Sequence, residues 1–132
     1  MQLLVNIDVP DVAAAEALYT QAFGLTPARR FGDAGVELRG GNAPIYLLQN
    51  AAGSGAAAGA QRDYARHWTP VHLDVVVDAL EPALERALAA GMRQEHPIRE
   101  ANWGRIVRLA DPFGHGWCLL QFVGRGYDEI TS

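Results

Sequence analysis

The chain has 132 residues, of which 49% are hydrophobic, and this is enough for one compact domain with its own core. Its net charge is −4 and its basic residues are scattered, so we expect no nucleic-acid partner. No segment approaches the roughly 20 consecutive apolar residues of a membrane-spanning helix, so we expect no membrane partner.

The cysteine content and the first residues suggest where the protein works. The single cysteine, Cys118, excludes an intrachain disulfide and is typical of a reducing compartment. Met1 leads directly into a strand pattern, without the basic segment, apolar run and cleavage site of a signal peptide. We therefore expect a cytoplasmic protein.

The first half of the chain has the pattern of a strand, a helix and three more strands. Apolar residues alternate with polar ones from Leu3 to Val9, which predicts a strand. Asp11 as N-cap and Gly24 as C-terminal stop predict a helix over Val12–Phe23. Glycines then separate three short predicted strands, at Pro27–Phe31, Val36–Arg39 and Pro44–Leu48.

A long connection follows. Ala51–Ala60 is low in complexity, which predicts a mobile segment, and Gln61–Trp68 completes the crossing to the second half. A connection of this length is unusual inside a compact domain, so we expect it to cover something.

The second half repeats the plan of the first. It predicts a strand at Val71–Val77 and a helix at Leu80–Ala90 that stops at Gly91. Asp111-Pro112-Phe113-Gly114 has the residues of a tight turn. Further strands are predicted at Arg93–Ile98, Gly104–Leu109 and Trp117–Phe122.

Each half also ends on a similar segment, Tyr46-Leu47-Leu48-Gln49 in the first and Cys118-Leu119-Leu120-Gln121 in the second. The duplication predicts an α+β fold of two tandem β-α-β-β-β modules. The predicted boundaries are module one at 1–50, a linker at 51–68, module two at 69–123 and a peripheral tail at 124–132.

Strand alternation predicts which side chains each helix covers. A helix covers one face of a sheet and leaves the other open, and residues two apart share a face. The open faces are predicted to be too polar for an ordinary core, so we expect them to line a binding surface. The predicted helix-side residues are Val5, Ile7, Val9, Leu73, Val75 and Val77, and the open-face residues are Leu4, Asn6, Asp8, His72, Asp74 and Val76.

The sequence resembles the vicinal oxygen chelate superfamily of glyoxalases, extradiol dioxygenases, fosfomycin-resistance transferases and bleomycin-binding proteins. The resemblance covers nearly the whole chain, and it implies that the two modules form a cup-shaped mixed sheet with helices on the outer face, often completed in a homodimer. The motifs that carry it are Val9-Pro10-Asp11, Tyr19 through Gly24-Leu25, His72-Leu73-Asp74-Val75 and Asp111-Pro112-Phe113-Gly114-His115.

The resemblance also implies four metal-ligand positions, and this chain departs from them. Leu4 has no donor atom, and Tyr46 is a poor ligand because its unperturbed pKa is about 10. His72 and Cys118 supply only half of a tetrahedral site. We therefore expect no cofactor, and the alternative is an atypical metal site built from His72 and Cys118, with or without Asp8 or Asp74.

The polar open-face residues remain candidates for ligand contact. His72 is interpreted as a relic ligand, a general base or a hydrogen-bonding partner of a ligand, or else as a satisfied, partly buried histidine. Asp8 and Asp74 are interpreted as an acid–base pair or as contacts to a cation, or else as solvent-facing partners of Arg105 or Arg108. Asn6 shares their face.

Aromatic residues and the cysteine complete the candidate site. Trp68 and Trp103 lie in loop-like stretches from which they can sandwich a planar ligand, although core or interface packing is the commoner role. Tyr46 offers a ring and a hydroxyl. Cys118 is interpreted as a small buried hydrophobic residue, or as a nucleophile paired with His72.

Three functions follow. We favour a metal-free protein of the glyoxalase/bleomycin-resistance type that binds a small molecule in the cup, for example to sequester an antibiotic or metabolite. The second is a metal-dependent lyase, isomerase or dioxygenase with an atypical site, and the third is a module that uses the fold only for dimerisation.

Overall fold

The computed structural model describes residues 1–132. They form two compact units, Met1–Ala65 (unit 1) and Arg66–Ser132 (unit 2). Neither of the two α-helices has the length and apolar character that crossing a membrane requires.

Unit 1 contains the predicted strand, helix and three strands. The order in its mixed sheet is β1-β4-β3-β2, with β1 parallel to β4 and the other pairs antiparallel. The α+β prediction is confirmed here, and the strand ends differ by one or two residues, which is usual at strand boundaries. The elements are β1 (Val5–Val9), α1 (Val12–Phe23), β2 (Thr26–Arg30), β3 (Gly35–Arg39) and β4 (Ile45–Gln49).

Unit 2 repeats this arrangement. Its mixed sheet has the order β5-β9-β8-β6, with β5 parallel to β9 and with β7 also paired to β8. The elements are β5 (Leu73–Val76), α2 (Leu80–Ala90), β6 (Arg93–Gln94), β7 (Arg99–Glu100), β8 (Gly104–Ala110) and β9 (Gly116–Phe122).

The single strand predicted at Arg93–Ile98 is wrong. Two strands of two residues, β6 and β7, pair with β8 on either side of an irregular segment. Pro97 lies in that segment and has no N–H to donate to the ladder, which explains the interruption.

Both predicted helices have their predicted ends. The Asp11 carboxylate accepts a hydrogen bond from the Ala14 N–H at 3.0 Å, and Gly24 ends α1 at φ 67°. Gly91 ends α2 at φ 117°. These positive φ values favour glycine, which has no Cβ to clash.

The similar segments that close each half share one structural role. The Gln49 side-chain oxygen accepts a hydrogen bond from the N–H of Val12, the first residue of α1, at 2.9 Å. The Gln121 side-chain oxygen does the same for Leu80, the first residue of α2, also at 2.9 Å. The last strand of each unit thus satisfies a free N–H at the start of that unit's helix.

The segment after β4 has defined hydrogen bonding, although its composition predicts mobility. The Gly53 N–H donates to the Arg62 carbonyl at 2.7 Å, and the Arg62 N–H donates to the Ser54 carbonyl at 2.9 Å. These two bonds close a hairpin from Gly53 to Arg62, and a short 3₁₀ turn spans Ala57–Gly59 within it. The Arg62 side chain holds this hairpin to β1 through Asp8 at 2.7 Å, a long-range contact that local composition does not reveal.

Candidate functional site

Unit 2 contains a pocket of about 190 Å³, which we call the His72 pocket and which is lined by residues of β7, β8 and β9 and of the segments before β5 and β7. Its wall combines basic, aromatic and apolar side chains and contains no Asp or Glu. The lining residues are Arg66, Trp68, Thr69, His72, His96, Arg99, Ile106, Arg108, Gly116, Trp117 and Cys118.

Strand register brings three of the predicted site residues together. Asp74 on β5 is the direct partner of Cys118 on β9, and His72 precedes Asp74 by two residues on the same open face. His72 Nε2 lies 3.4 Å from an Asp74 carboxylate oxygen. The donor atoms of His72, Asp74 and Cys118 all lie within 4.8 Å of one another.

Cys118 does not have the environment of a nucleophile. Its side chain is buried, and burial together with the neighbouring Asp74 carboxylate raises the pKa of the thiol to about 11. The neutral thiol therefore dominates at neutral pH, whereas a cysteine nucleophile needs a lowered pKa. The structure supports the interpretation of Cys118 as a small buried hydrophobic residue.

One glutamate orients two arginines of the pocket wall. Arg66 donates two hydrogen bonds to the Glu95 carboxylate, each at 2.9 Å, and Arg108 Nε donates to the same group at 3.1 Å. The Arg66 hydrogen bonds lower the pKa of Glu95, so this carboxylate is ionised at neutral pH. With two guanidinium groups on one carboxylate, the cluster keeps a positive charge beside the pocket.

Two further basic side chains line the pocket. Arg99, on β7, is exposed and makes no ion pair. His96 Nε2 lies 3.2 Å from the Arg108 backbone N–H and Nδ1 lies 2.7 Å from the Pro97 carbonyl, so the fitting tautomer carries its proton on Nδ1. His96 is thus neutral in this arrangement, and Arg99 supplies the accessible charge.

Trp68 supplies the aromatic part of the wall. Its side chain is 64% exposed, and its ring centroid lies 5.9 Å from that of His72 with an interplanar angle of 46°. An exposed indole beside a pocket is available to a planar ligand.

A turn-forming aspartate positions the strand that carries Cys118. The buried Asp111 carboxylate accepts hydrogen bonds from the backbone N–H groups of Phe113 and His115, at 2.9 and 3.0 Å. It also accepts one from the indole N–H of Trp117 at 2.9 Å. The tight turn predicted at Asp111–Gly114 therefore anchors the start of β9.

Unit 1 holds a second polar group, which we call the Glu37 cluster and which consists of Arg29, Glu37, Arg39 and Tyr46. Glu37 is fully buried. Its carboxylate accepts hydrogen bonds from Arg29 at 2.6 Å, from the Tyr46 hydroxyl at 2.7 Å and from Arg39 at 2.7 Å. These donors, Arg29 foremost, lower the pKa of Glu37 to about 2.

Tyr46 was predictable from the sequence as a site residue, whereas Glu37 was not predicted. Strand register places Asn6, Tyr46 and Glu37 side by side across β1, β4 and β3. The available signal was a charged residue between Val36 and Leu38, with Arg39 two residues later on the same strand face, but only the register reveals Arg29 as its second arginine partner.

The remaining predicted site residues lie outside the His72 pocket. Asn6 is exposed on β1. Asp8 binds Asn50 at 3.0 Å and Arg62 at 2.7 Å, rather than Arg105 or Arg108. Trp103 packs against Tyr127 with their ring centroids 5.1 Å apart.

The metal site implied by the superfamily does not fit the four corresponding residues. Leu4 offers no donor, and the Tyr46 hydroxyl already donates to Glu37. The group of His72, Asp74 and Cys118 differs from the implied ligand set. His72 and Cys118 occupy implied positions, but Asp74 does not.

Comparisons with known proteins agree with this fold. The sequence profile described as a glyoxalase-like domain matches residues 4–120. An uncharacterized protein of Mycobacterium bovis is 38% identical over 66 residues, which are 48% of this chain and 43% of that protein. The matched region therefore spans less than half of the length of that relative.

Solved structures show the same architecture. A glyoxalase/bleomycin resistance protein/dioxygenase family enzyme from Burkholderia phytofirmans has a TM-score of 0.73 at 19% identity, over 91% of this chain and 97% of that chain. The fosfomycin resistance protein FosX from Mesorhizobium loti has a TM-score of 0.72 at 15% identity, over 99% and 98%. At these identities the structures establish the fold, and with the profile match they show that the chain belongs to the glyoxalase-like domain family of the vicinal oxygen chelate superfamily.

Proposed function

We propose that the protein binds a small molecule in the His72 pocket without a metal ion, and that the ligand combines an anionic group with a planar apolar part. The observation that carries this proposal is the composition of the wall, in which Arg66, Arg99 and Arg108 face the same space as Trp68. These three arginines outnumber the two nearby carboxylates, Glu95 and Asp74. Guanidinium groups bind carboxylates and phosphates, and indole rings pack against planar groups.

The size of the pocket limits the ligand. A volume of about 190 Å³ suits a single ring with one or two substituents rather than a large antibiotic. The basic wall also argues against the cationic ligand that Asp8 and Asp74 suggest, since Asp8 is bound to Arg62 and Asp74 is outnumbered by the three wall arginines. Sequestration of a small anionic metabolite is the form of this function that fits best.

Calorimetric titration with benzoate and with its neutral analogue benzamide tests the proposal. We expect benzoate to bind, benzamide to bind at least tenfold more weakly, and treatment with a chelator to leave both affinities unchanged. Equal affinities for the two probes, or loss of benzoate binding with the chelator, would contradict the proposal.

Matched arginine variants locate the site. Arg99→Gln removes an unpaired charge from the pocket wall and should weaken benzoate binding about tenfold, the equivalent of one charge-assisted contact. Arg93→Gln changes an exposed arginine on β6 that does not line the pocket, and it should bind benzoate within about twofold of the parent protein. An equal effect of both substitutions would indicate a general charge effect.

A second candidate function is metal-dependent catalysis at His72, Asp74 and Cys118. Their donor atoms lie within 4.8 Å of one another, and donors around zinc are about 3.5 Å apart, so a modest closure would form a three-ligand site. A divalent ion there would polarise a substrate oxygen. Elemental analysis of protein purified without chelators decides between the two: one ion per chain that is lost in His72→Ala favours catalysis.

A further inference from the structure

We propose that a second pocket, located over Glu37 in unit 1, binds a small oxyanion, either a phosphate or a carboxylate group, through Arg29 and Arg39. This Glu37 pocket has a volume of about 260 Å³. None of its lining residues lines the His72 pocket, so the inference does not depend on the function proposed above. The lining residues are Gln2, Arg29, Glu37, Arg39, Gly41, Pro44 and Tyr46.

The buried carboxylate explains how two arginines can stand side by side. One Glu37 oxygen accepts from Arg29 Nη2 and the Tyr46 hydroxyl, and the other accepts from Arg39 Nε. Arg29 Nη2 also lies 3.1 Å from the Tyr46 oxygen. Glu37 therefore fixes the direction of both guanidinium groups before any ligand arrives, which lowers the entropy cost of binding.

The two arginines keep donors that the protein does not use. Arg39 contacts Glu37 through Nε alone, so neither of its Nη groups has a protein acceptor. The Nη1 group of Arg29 also lacks one. The two side chains are 63% and 62% exposed, so these N–H groups reach the pocket.

The charge of the cluster selects the sign of the ligand. Two guanidinium groups share a single carboxylate, which leaves one positive charge uncompensated in a protein whose net charge is −4. The planar fork of a guanidinium matches the spacing of two oxygens on one phosphate or carboxylate. A single oxyanion bridging Arg29 and Arg39 would satisfy both the unused donors and the remaining charge.

Titrations followed by nuclear magnetic resonance test this site directly. The Nε–H groups of Arg29 and Arg39 both donate to Glu37 and are thereby protected from exchange with water, so their signals can be followed. Sodium phosphate and sodium acetate are added separately at constant ionic strength, with sodium chloride making up the difference. We expect saturable shifts with a dissociation constant on the order of 1 mM for at least one probe.

The two probes identify the source of the oxyanion. Saturation with phosphate alone assigns the site to phosphate groups, and saturation with acetate assigns it to carboxylates. Shifts that stay linear with both probes, or that chloride alone reproduces, would overturn the proposal and leave the arginines as partners of Glu37 only.

Substitutions confirm where the probe binds. Arg39→Gln should weaken binding of the probe about tenfold. Arg39→Lys keeps a positive charge beside Glu37 and serves as the second variant if Arg39→Gln does not fold. It should weaken binding more than twofold because lysine lacks the planar guanidinium fork. Arg30→Gln is the control, since Arg30 is an exposed β2 arginine paired with Glu16 outside the pocket. Unchanged binding in both Arg39 variants would refute the site.

Discussion

At the scale of single residues, each unit places one glutamate between two arginines. Glu37 holds Arg29 and Arg39, and Glu95 holds Arg66 and Arg108. Arg39 lies on the same strand as Glu37, Arg29 lies on the neighbouring strand, and Arg108 lies on the strand paired with β6, which Glu95 follows. Each group keeps a net positive charge. Alternation along one strand places Glu37 and Arg39 on the same face, but strand register is needed to bring Arg29 to Glu37, and the folded chain is needed to bring Arg66 and Arg108 to Glu95.

The ionised Glu37 makes the stability of the protein depend on pH. Its pKa is about 2 in the folded protein, against 4.5 ordinarily, so its contribution is complete above pH 4.5 and is lost as the pH falls towards 2. We expect Glu37→Gln to lower the free energy of unfolding at pH 7, by an amount that shrinks over this range. Urea unfolding of both proteins at several pH values measures the difference.

The control for this prediction is Glu85→Gln, which changes an exposed glutamate of α2 that has no ion-pair partner. It should alter the free energy of unfolding by less than about 0.5 kcal/mol. A Glu37→Gln deficit that stays constant from pH 7 to the acid limit would show that lost packing, rather than lost charge, causes it.

At the scale of elements, the helices were predictable and the short strands were less so. Asp11, Gly24 and Gly91 are local signals, and the structure confirms the helix ends that they predict. The interruption of the predicted strand at Arg93–Ile98 has a local signal too, since Pro97 lacks an N–H, but the pairing of Arg99 and Glu100 with β8 as a separate strand is a tertiary effect. The duplicated Gln was visible in the sequence, but its capping role required the three-dimensional placement of β4 and β9.

The two capping glutamines should differ in importance. The N-cap of α2 is Ala79, which has no side-chain oxygen, whereas α1 also has Asp11. We therefore expect Gln121→Ala to lower the free energy of unfolding by about 1 kcal/mol, and Gln49→Ala to lower it by less. Chemical unfolding at neutral pH measures both losses.

A glutamine elsewhere on a helix serves as the comparison. Gln21 is exposed on α1 and its side chain makes no hydrogen bond, so Gln21→Ala should change the free energy of unfolding by no more than about 0.5 kcal/mol. If all three substitutions have the same effect, the capping bonds do not contribute as described.

At the scale of the whole molecule, the family fold followed from the sequence, whereas the assembly remains a prediction. The duplicated β-α-β-β-β pattern predicted both units, and the profile match and solved structures confirm the superfamily. Some apolar side chains stay exposed beside or on the parallel strand of each unit, with Leu4 51% and Val76 57% accessible. The homodimer that the superfamily resemblance implies would cover apolar groups of this kind.

We therefore expect a homodimer, with twice the 14.3 kDa mass of the chain in sedimentation equilibrium. Val76→Asp should shift the equilibrium towards the monomer because it places a charge where apolar contact is expected. Leu88→Asp, at an α2 side chain that is 40% exposed, should leave the association unchanged. A parent protein that remains monomeric as its concentration is raised would exclude the dimer.

The capping glutamines have one consequence for how such a protein can be rearranged. Gln49 and Gln121 each join the last strand of a unit to the first turn of the helix in that same unit. A unit that is duplicated, or exchanged with the same unit of another chain, thus keeps intact the hydrogen bond that caps its own helix.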